Sequence, residues 1–206
     1  QVRCGAEGND LERLCADTSA IKVGAGDLPG ALASRRLGAT TVSASLALAT
    51  RLGIATFATG GIGGVPRGWS RALAISADLP QLPPTPCLTV CAGAKSVLDI
   101  STTLEKLESL SVPLITFRTD NFPEFYSQGS KAPFGTRLDE AREVAQAARL
   151  SLDLLERAPL VVQSVPEEYA IASKIVEEWV GAGLEAARER GISGKAVTPF
   201  LLSFLA

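Results

Sequence analysis

Short apolar runs alternate with stretches of helical periodicity along this chain, the pattern of an α/β protein. Ala20–Val23 and Ile54–Ala58 read as strands. Between them a helix is predicted over Val42–Leu52, ended by Gly53. A strand over Cys87–Cys91 is followed by a predicted helix over Val97–Ser109, in which Leu98, Leu104 and Leu107 can share a face, and then by a strand over Val112–Phe117. If the two strands pair in parallel, the connection between them is a right-handed crossover. Beyond them the pattern predicts a helix over Asp139–Leu155, a strand over Leu160–Gln163, a helix over Glu167–Arg190 and a short helix around Thr198–Leu205. Phe122 to Phe134 is polar and contains Gly and Pro, so it is expected as a loop over the sheet edge. The run Pro80 to Pro86 is a stiff connector, too short to separate domains. One domain over residues 1–206 is expected, with a central mixed sheet flanked by helices.

Composition narrows the partners. The chain has 206 residues, 46% hydrophobic and 20% charged, with a net charge of −2. This is enough for a sizeable core and leaves no basic patch for nucleic acid. No apolar run reaches the length of a membrane span, and Gln1-Val2-Arg3 does not have the layout of a signal peptide. A cytoplasmic, reduced chain is expected. The absence of Met suggests that its beginning is incomplete. Of the four cysteines, Cys87 and Cys91 fall on one predicted strand roughly 13 Å apart, too far for a disulfide. Cys4 and Cys15 are lone small hydrophobes. The chain has no histidine, which excludes the usual zinc constellations and every mechanism with a His base. Lys, Asp, Glu, Tyr and Cys are left for proton transfer.

Against that background one lysine stands out. Leu88 to Cys91 is a short apolar strand, and Ser96 with Asp99 three residues on has the spacing of a helix N-cap, so Lys95 is expected against a helix N-terminus. The partial positive charge there and apolar surroundings both disfavour an ammonium, leaving neutral amine for Schiff-base chemistry. A surface lysine at a loop–helix junction fits the same local pattern. The cluster Gly60-Gly61-Ile62-Gly63-Gly64 follows a strand and does not fit phosphate-loop or dinucleotide spacings. It reads either as a tight turn needing positive φ or as a wall of a substrate site. Arg67, just after it, is either a phosphate partner or a solvated charge. Ser76-Ala77-Asp78 places a hydroxyl beside a carboxylate, either to hold a sugar or base or to cap a helix before Leu79.

Taken together, Gly60 to Val65, Ile75 to Leu79 and Cys91 to Asp99 resemble, in order and spacing, the core of the pseudouridine-5'-phosphate glycosidase family, also called indigoidine-synthase-A-like. Supporting matches are Lys22-Val23 with Asp27-Leu28-Pro29, Gly38 to Val42, Val112-Pro113-Leu114, and Gly194-Lys195 with Thr198 to Leu202. The resemblance implies reversible cleavage of the C–C glycosidic bond of pseudouridine 5'-phosphate to uracil and ribose 5-phosphate. In it Lys95 is the imine-forming nucleophile, and Lys22, the main chain at Val42, and Ser76, Ala77 and Asp78 contact the substrate. It also implies a homotrimer and a manganese cofactor. The family's metal-binding aspartate corresponds to Ala74, so manganese is not expected at the usual site. Further departures are Pro66 for a histidine, Gln163-Ser164 for Asn-Pro, and Ser111 for a glycine. The family's proton-donating glutamate lies ahead of the position of Lys22, beyond the start of this chain, and its C-terminal segment lies beyond Ala206. Two other functions stay open: a degenerate member that binds a sugar phosphate or supports an assembly without turnover, and another Schiff-base lyase acting on sugar phosphates.

Overall fold

A five-stranded parallel sheet organises the molecule, in a computed structural model that describes residues 2–67, 75–131, 133–193 and 196–204. Its strands are β3 (Thr56–Ala58), β5 (Leu88–Cys91), β7 (Leu114–Phe117), β10 (Thr136–Leu138) and β11 (Leu160–Val162), in the order β10-β7-β11-β5-β3. All four pairings are parallel, which fits strands as apolar as Leu160-Val161-Val162, buried on both faces. The antiparallel pairing of the expected mixed sheet lies outside it, in two small ribbons, β4 (Val65–Pro66) with β6 (Leu98–Asp99) and β8 (Phe122–Glu124) with β9 (Ser127–Lys131), and in a single bridge of Gly93 to Glu124. A separate parallel pair, β1 (Ile21–Val23) with β2 (Gly38–Thr40), stands before the first sheet strand.

The helices are α1 (Gly8–Ala16), α2 (Leu28–Ala33), α3 (Val42–Leu52), a single turn α4 (Asp78–Gln81), α5 (Ile100–Ser109), α6 (Ala141–Leu155), α7 (Ser173–Glu189) and α8 (Val197–Phe204). One core cluster joins Leu46 of α3, Cys91 of β5, Leu104 and Leu107 of α5, Leu160 of β11 and Val180 of α7. Val144 of α6 packs on the other side of the sheet with Ile115 and Val161. Cys91, in the first of these clusters, is buried and its thiol is pushed up to about 12 by desolvation, so it is an inert core residue. All four cysteines are unpaired. No helix among the described residues is long and apolar enough to cross a membrane.

Three expectations change. Strands β5 and β7 are not neighbours, because β11 lies between them and pairs with both, so the connection through α5 passes over one intervening strand. The predicted helix from Glu167 is a short 3₁₀ turn, Glu167–Tyr169, and α7 starts only at Ser173. Phe122 to Lys131 is the β8–β9 ribbon rather than a loop. Phe122 is fully buried, and Gly129 takes a φ of 77° where an added Cβ would strike the Phe122 carbonyl.

Helix α5 ends in a Schellman turn, with Ser111 N–H donating to the Glu108 carbonyl at 2.8 Å and Val112 N–H to Leu107 at 3.1 Å. Ser111 therefore sits in the left-handed region at φ 52°. A Cβ there costs about 1–2 kcal/mol, and glycine's larger unfolded-state entropy returns about 0.5–1 kcal/mol of that gain. Ser111→Gly is expected to raise the melting temperature by about 1–4 °C, read by thermal unfolding, for a chain of this size. An unchanged or lower melting temperature would contradict the assignment.

Candidate active site

Strands β3 and β5 both run on past their last sheet residues into loops that pair with one another. Ala92 N–H donates to the Gly60 carbonyl, Ile62 N–H to Gly93 and Lys95 N–H to Ile62, at 3.0, 3.0 and 3.2 Å. This zipper holds Lys95 at the carboxyl ends of two parallel strands, where open α/β sheets place their ligands. Lys95 lines a cleft of about 290 Å³ with Thr40, Thr41, Val42, Ser45, Phe57, Thr59, Gly60, Gly61 and Phe125.

The glycine cluster serves close approach rather than a turn, since none of Gly60, Gly61, Gly63 and Gly64 has positive φ. An added Cβ at Gly61 would lie 2.5 Å from the Phe125 ring, and one at Gly64 would lie 2.5 Å from the Thr103 hydroxyl. At Gly63 it would strike the Ser76 hydroxyl. The residue of this region that does need a left-handed backbone is Gly93, at φ 78°, where a side chain would collide with the Pro123 carbonyl.

The expected helix N-terminus at Lys95 is not there. α5 begins at Ile100, and its N-cap is Asp99, whose carboxylate accepts from Thr102 N–H at 2.9 Å. The Ser96 hydroxyl instead donates to the Glu124 carbonyl in the β8–β9 ribbon. The Lys95 amine is nevertheless held below the ordinary lysine range. Burial is the main cause; the nearby Lys22 charge adds to it, and the Asp78 carboxylate partly offsets it. The free energy that favours neutral amine thus comes from desolvation rather than from a helix dipole.

Asp78 is the other organising residue. Its side chain is buried, with Oδ1 accepting from Ser43 N–H at 2.8 Å and Oδ2 from Gly63 N–H at 2.9 Å. One carboxylate thereby ties the first turn of α3 to the glycine segment on the other side of the cleft. Each oxygen keeps a second lone pair for a further donor. Ser76 N–H donates to the Gly64 carbonyl, and its hydroxyl accepts from Asp78 N–H at 3.2 Å, so it fixes the start of α4. Ala77 is exposed and does not line the cleft. Val42 does line it, at the N-terminus of α3, where Thr41 is the N-cap and its hydroxyl accepts from Ala44 N–H at 3.5 Å. Lys22, on β1, is exposed beside this corner, and the Val23 carbonyl next to it accepts from Thr41 N–H.

Arg67 is neither a cleft residue nor a solvated charge. Its guanidinium makes a two-pronged ion pair with Glu177 of α7, both contacts 2.7 Å, and donates to the Ser96 carbonyl at 3.2 Å. It bolts α7 to the back of the Lys95 loop. Ala74 and the pair Gly194-Lys195 lie outside the described residues. Among the described residues no three His, Cys, Asp or Glu side chains converge. The carboxylate beside the cleft, Asp78, is committed to two backbone N–H groups. This donor set, among the described residues, does not fit manganese, which needs several oxygen ligands on one point.

Sequence reasoning did not single out the hydroxyls of Thr40, Thr41, Ser45 and Thr59, nor the rings of Phe57 and Phe125. Thr40 and Thr41 stand inside a matched motif, whereas Phe125 falls in a segment whose polar, Gly- and Pro-containing pattern predicts a loop.

The chain matches the family model described as indigoidine synthase A like protein over residues 1–206. It is 45% identical over 204 residues to a pseudouridine-5'-phosphate glycosidase of Cupriavidus pinatubonensis, covering 98% of this chain and 65% of that protein. It is 39% identical over 203 residues to one of Glaesserella parasuis, covering 98% and 67%. Among solved structures it is similar to the prealnumycin C-glycosynthase AlnA in complex with ribulose 5-phosphate, with a TM-score of 0.89 and 37% identity over 98% of this chain and 67% of that one. An indigoidine synthase A-like protein of Thermotoga maritima gives a TM-score of 0.86 at 36% identity, covering 98% and 66%. The chain thus spans about two thirds of the length of these relatives. With this agreement in sequence and backbone over almost all of its residues, the chain belongs to the indigoidine synthase A-like family.

Proposed function

We propose that this chain acts on the C–C glycosidic bond of pseudouridine 5'-phosphate through an imine on Lys95, giving uracil and ribose 5-phosphate. The observation that carries this reading is the half-buried Lys95 amine, biased toward its neutral form by desolvation, at the wall of a cleft whose other residues are mostly hydroxyls, glycines and rings. The names of the curated relatives and the ribulose 5-phosphate in a structural neighbour support the substrate class.

The residues divide the work. The N-terminus of α3 at Val42, the hydroxyls of Thr40, Thr41 and Ser45, and the charge of Lys22 form an anion-binding corner for the 5'-phosphate. The neutral Lys95 Nζ attacks the anomeric carbon, and the bond from that carbon to the ring oxygen breaks. The oxygen takes a proton and the sugar opens, while the nitrogen, cationic after the attack, gives up a proton and becomes a secondary amine with a lone pair. The nitrogen lone pair then forms the C=N bond of an iminium while the C–C electron pair leaves with the uracil carbon, which accepts a proton. Water adds to the iminium, and ribose 5-phosphate is released with Lys95 regenerated. Asp78 holds both sides of the cleft in place and, as a nearby anion, stabilises the cationic iminium.

No carboxylic acid lines the cleft among the described residues, and a positioned acid is worth about 10²–10⁴-fold in rate. This favours a second reading, in which the chain binds a sugar phosphate and forms the imine without completing turnover. Chromatography of reactions with pseudouridine 5'-phosphate separates the two. The glycosidase reading expects uracil release in step with ribose 5-phosphate, slowed by about that factor relative to an enzyme with a positioned acid. Imine formation from ribose 5-phosphate with no uracil from pseudouridine 5'-phosphate would establish the second reading and overturn the first.

A further inference from the structure

The cleft has an aromatic side that the nucleophile and the phosphate corner do not use. We propose that the Phe125 ring is the platform on which the planar leaving base stacks, which makes it a specificity residue of this site. The inference rests on the proposed imine chemistry, because the carbon that Lys95 attacks also carries the base. The base must therefore lie within a bond or two of Nζ, against whatever wall stands there.

Three observations place that wall at Phe125. Phe125 lines the cleft with Lys95 and is half-buried, so part of the residue is covered and part is available to a ligand. Its buried side is seated on Gly60 and Gly61, where added Cβ atoms would lie 3.1 and 2.5 Å from ring carbons. Two adjacent positions are thus empty of side chain where the ring lies. The ring is also held from the other directions. Phe125 N–H donates to the Ala92 carbonyl at 2.9 Å, and Tyr126 meets the ring edge-on, with centroids 4.6 Å apart and planes at 84°. The backbone of Phe125 is in the left-handed region at φ 63°, a conformation rarely adopted by a side chain of this size. The Gly93 turn, which cannot carry a side chain against Pro123, locks the ribbon that imposes it. A ring that needed only burial would not require a rigid seat at a cleft mouth. A flat, fixed aromatic face beside an electrophilic carbon suits a planar heterocycle, whose π-face stacks in offset geometry. The other ring of the cleft, Phe57 of β3, is packed against the core.

The test compares two ligands on three proteins by calorimetry: pseudouridine 5'-phosphate and ribose 5-phosphate on the wild-type chain, Phe125→Leu and Phe125→Trp. Leucine keeps apolar bulk and loses the flat face. The expected result is binding of pseudouridine 5'-phosphate weakened about 3- to 10-fold in Phe125→Leu, with ribose 5-phosphate changed less than about 2-fold, and recovery in Phe125→Trp. In the wild type, the H6 resonance of the bound uracil ring moves upfield through the ring current, and this shift disappears in Phe125→Leu. Equal weakening of both ligands in Phe125→Leu, or an unshifted H6 resonance in the wild type, would overturn the proposal by reducing Phe125 to a structural part of the ribbon. Ribose 5-phosphate that fails to bind the wild type at all would overturn the proposed function first, and the stacking platform with it. If Phe125→Leu does not fold, the H6 shift in the wild type and its retention in Phe125→Trp decide the question.

Discussion

Asp78→Ala is expected to lower the melting temperature by roughly 5–15 °C. The substitution leaves the N–H groups of Ser43 and Gly63 facing a buried gap. Each bond to a charged acceptor is worth about 1.5–3 kcal/mol, and an unsatisfied buried donor costs about 1–3 kcal/mol, so the pair together should account for about 2–6 kcal/mol. The same change unties α3 from the glycine segment, so imine formation at Lys95 should slow as the two sides of the cleft separate. Asp78→Asn sharpens the point. An amide offers one acceptor where two N–H groups point, and its NH₂ group faces one of them donor to donor. A loss of stability is expected there too, while removal of the negative charge moves the Lys95 titration to lower pH. A melting temperature within a degree or so of the parent in Asp78→Ala would show that the clamp contributes nothing.

The second large effect is at Lys95. Lys95→Arg keeps the positive charge and most of the length but cannot deprotonate in a protein, so no neutral nucleophile forms. Adduct formation is expected to fall at least about 10³-fold, since removal of a nucleophile elsewhere costs on the order of 10⁶ in rate. The pH dependence has a defined sign. Burial lowers the Lys95 pKa, so the rate of imine formation should rise with pH and level off below the ordinary lysine range. Lys22→Ala removes a like charge and should move that rise to higher pH, opposite to Asp78→Asn. Stability follows the same linkage. Between the lowered folded value and the ordinary unfolded one, the unfolded chain binds the extra proton, so this lysine makes the fold more stable as pH rises through that window. A rate that falls with rising pH in Lys22→Ala and the parent alike would contradict a neutral-amine nucleophile.

Much of this was legible in the residues, and the failures have physical causes. The apolar run Leu88–Cys91 marks both an inner strand of the sheet and the placement of Lys95 just past its end. Ser96 and Asp99 can each cap a helix, and local sequence cannot choose between them. The choice is made by the Glu124 carbonyl, 28 residues away in sequence, which occupies the Ser96 hydroxyl and leaves Asp99 to cap. The β8–β9 ribbon was missed because Pro123 and Gly129 interrupt strand periodicity, although both sit where the ribbon tolerates them. The insertion of β11 between β5 and β7 depends on a strand that arrives some 45 residues after β7, information that no local pattern carries. A tight turn and a wall of the site both fit the glycine cluster as a sequence, and what separates them is its requirement of space for the Phe125 ring, the Thr103 hydroxyl and the Ser76–Asp78 corner.

The measurement that bears most directly on the account is covalent trapping. The chain is incubated with ribose 5-phosphate and borohydride, digested, and mapped by peptide mass spectrometry. The expected result is one reduced adduct on the peptide that carries Lys95, absent in Lys95→Arg. An adduct on Lys22 or another lysine, or unmodified protein at saturating ribose 5-phosphate, would contradict the assignment of Lys95 as the nucleophile.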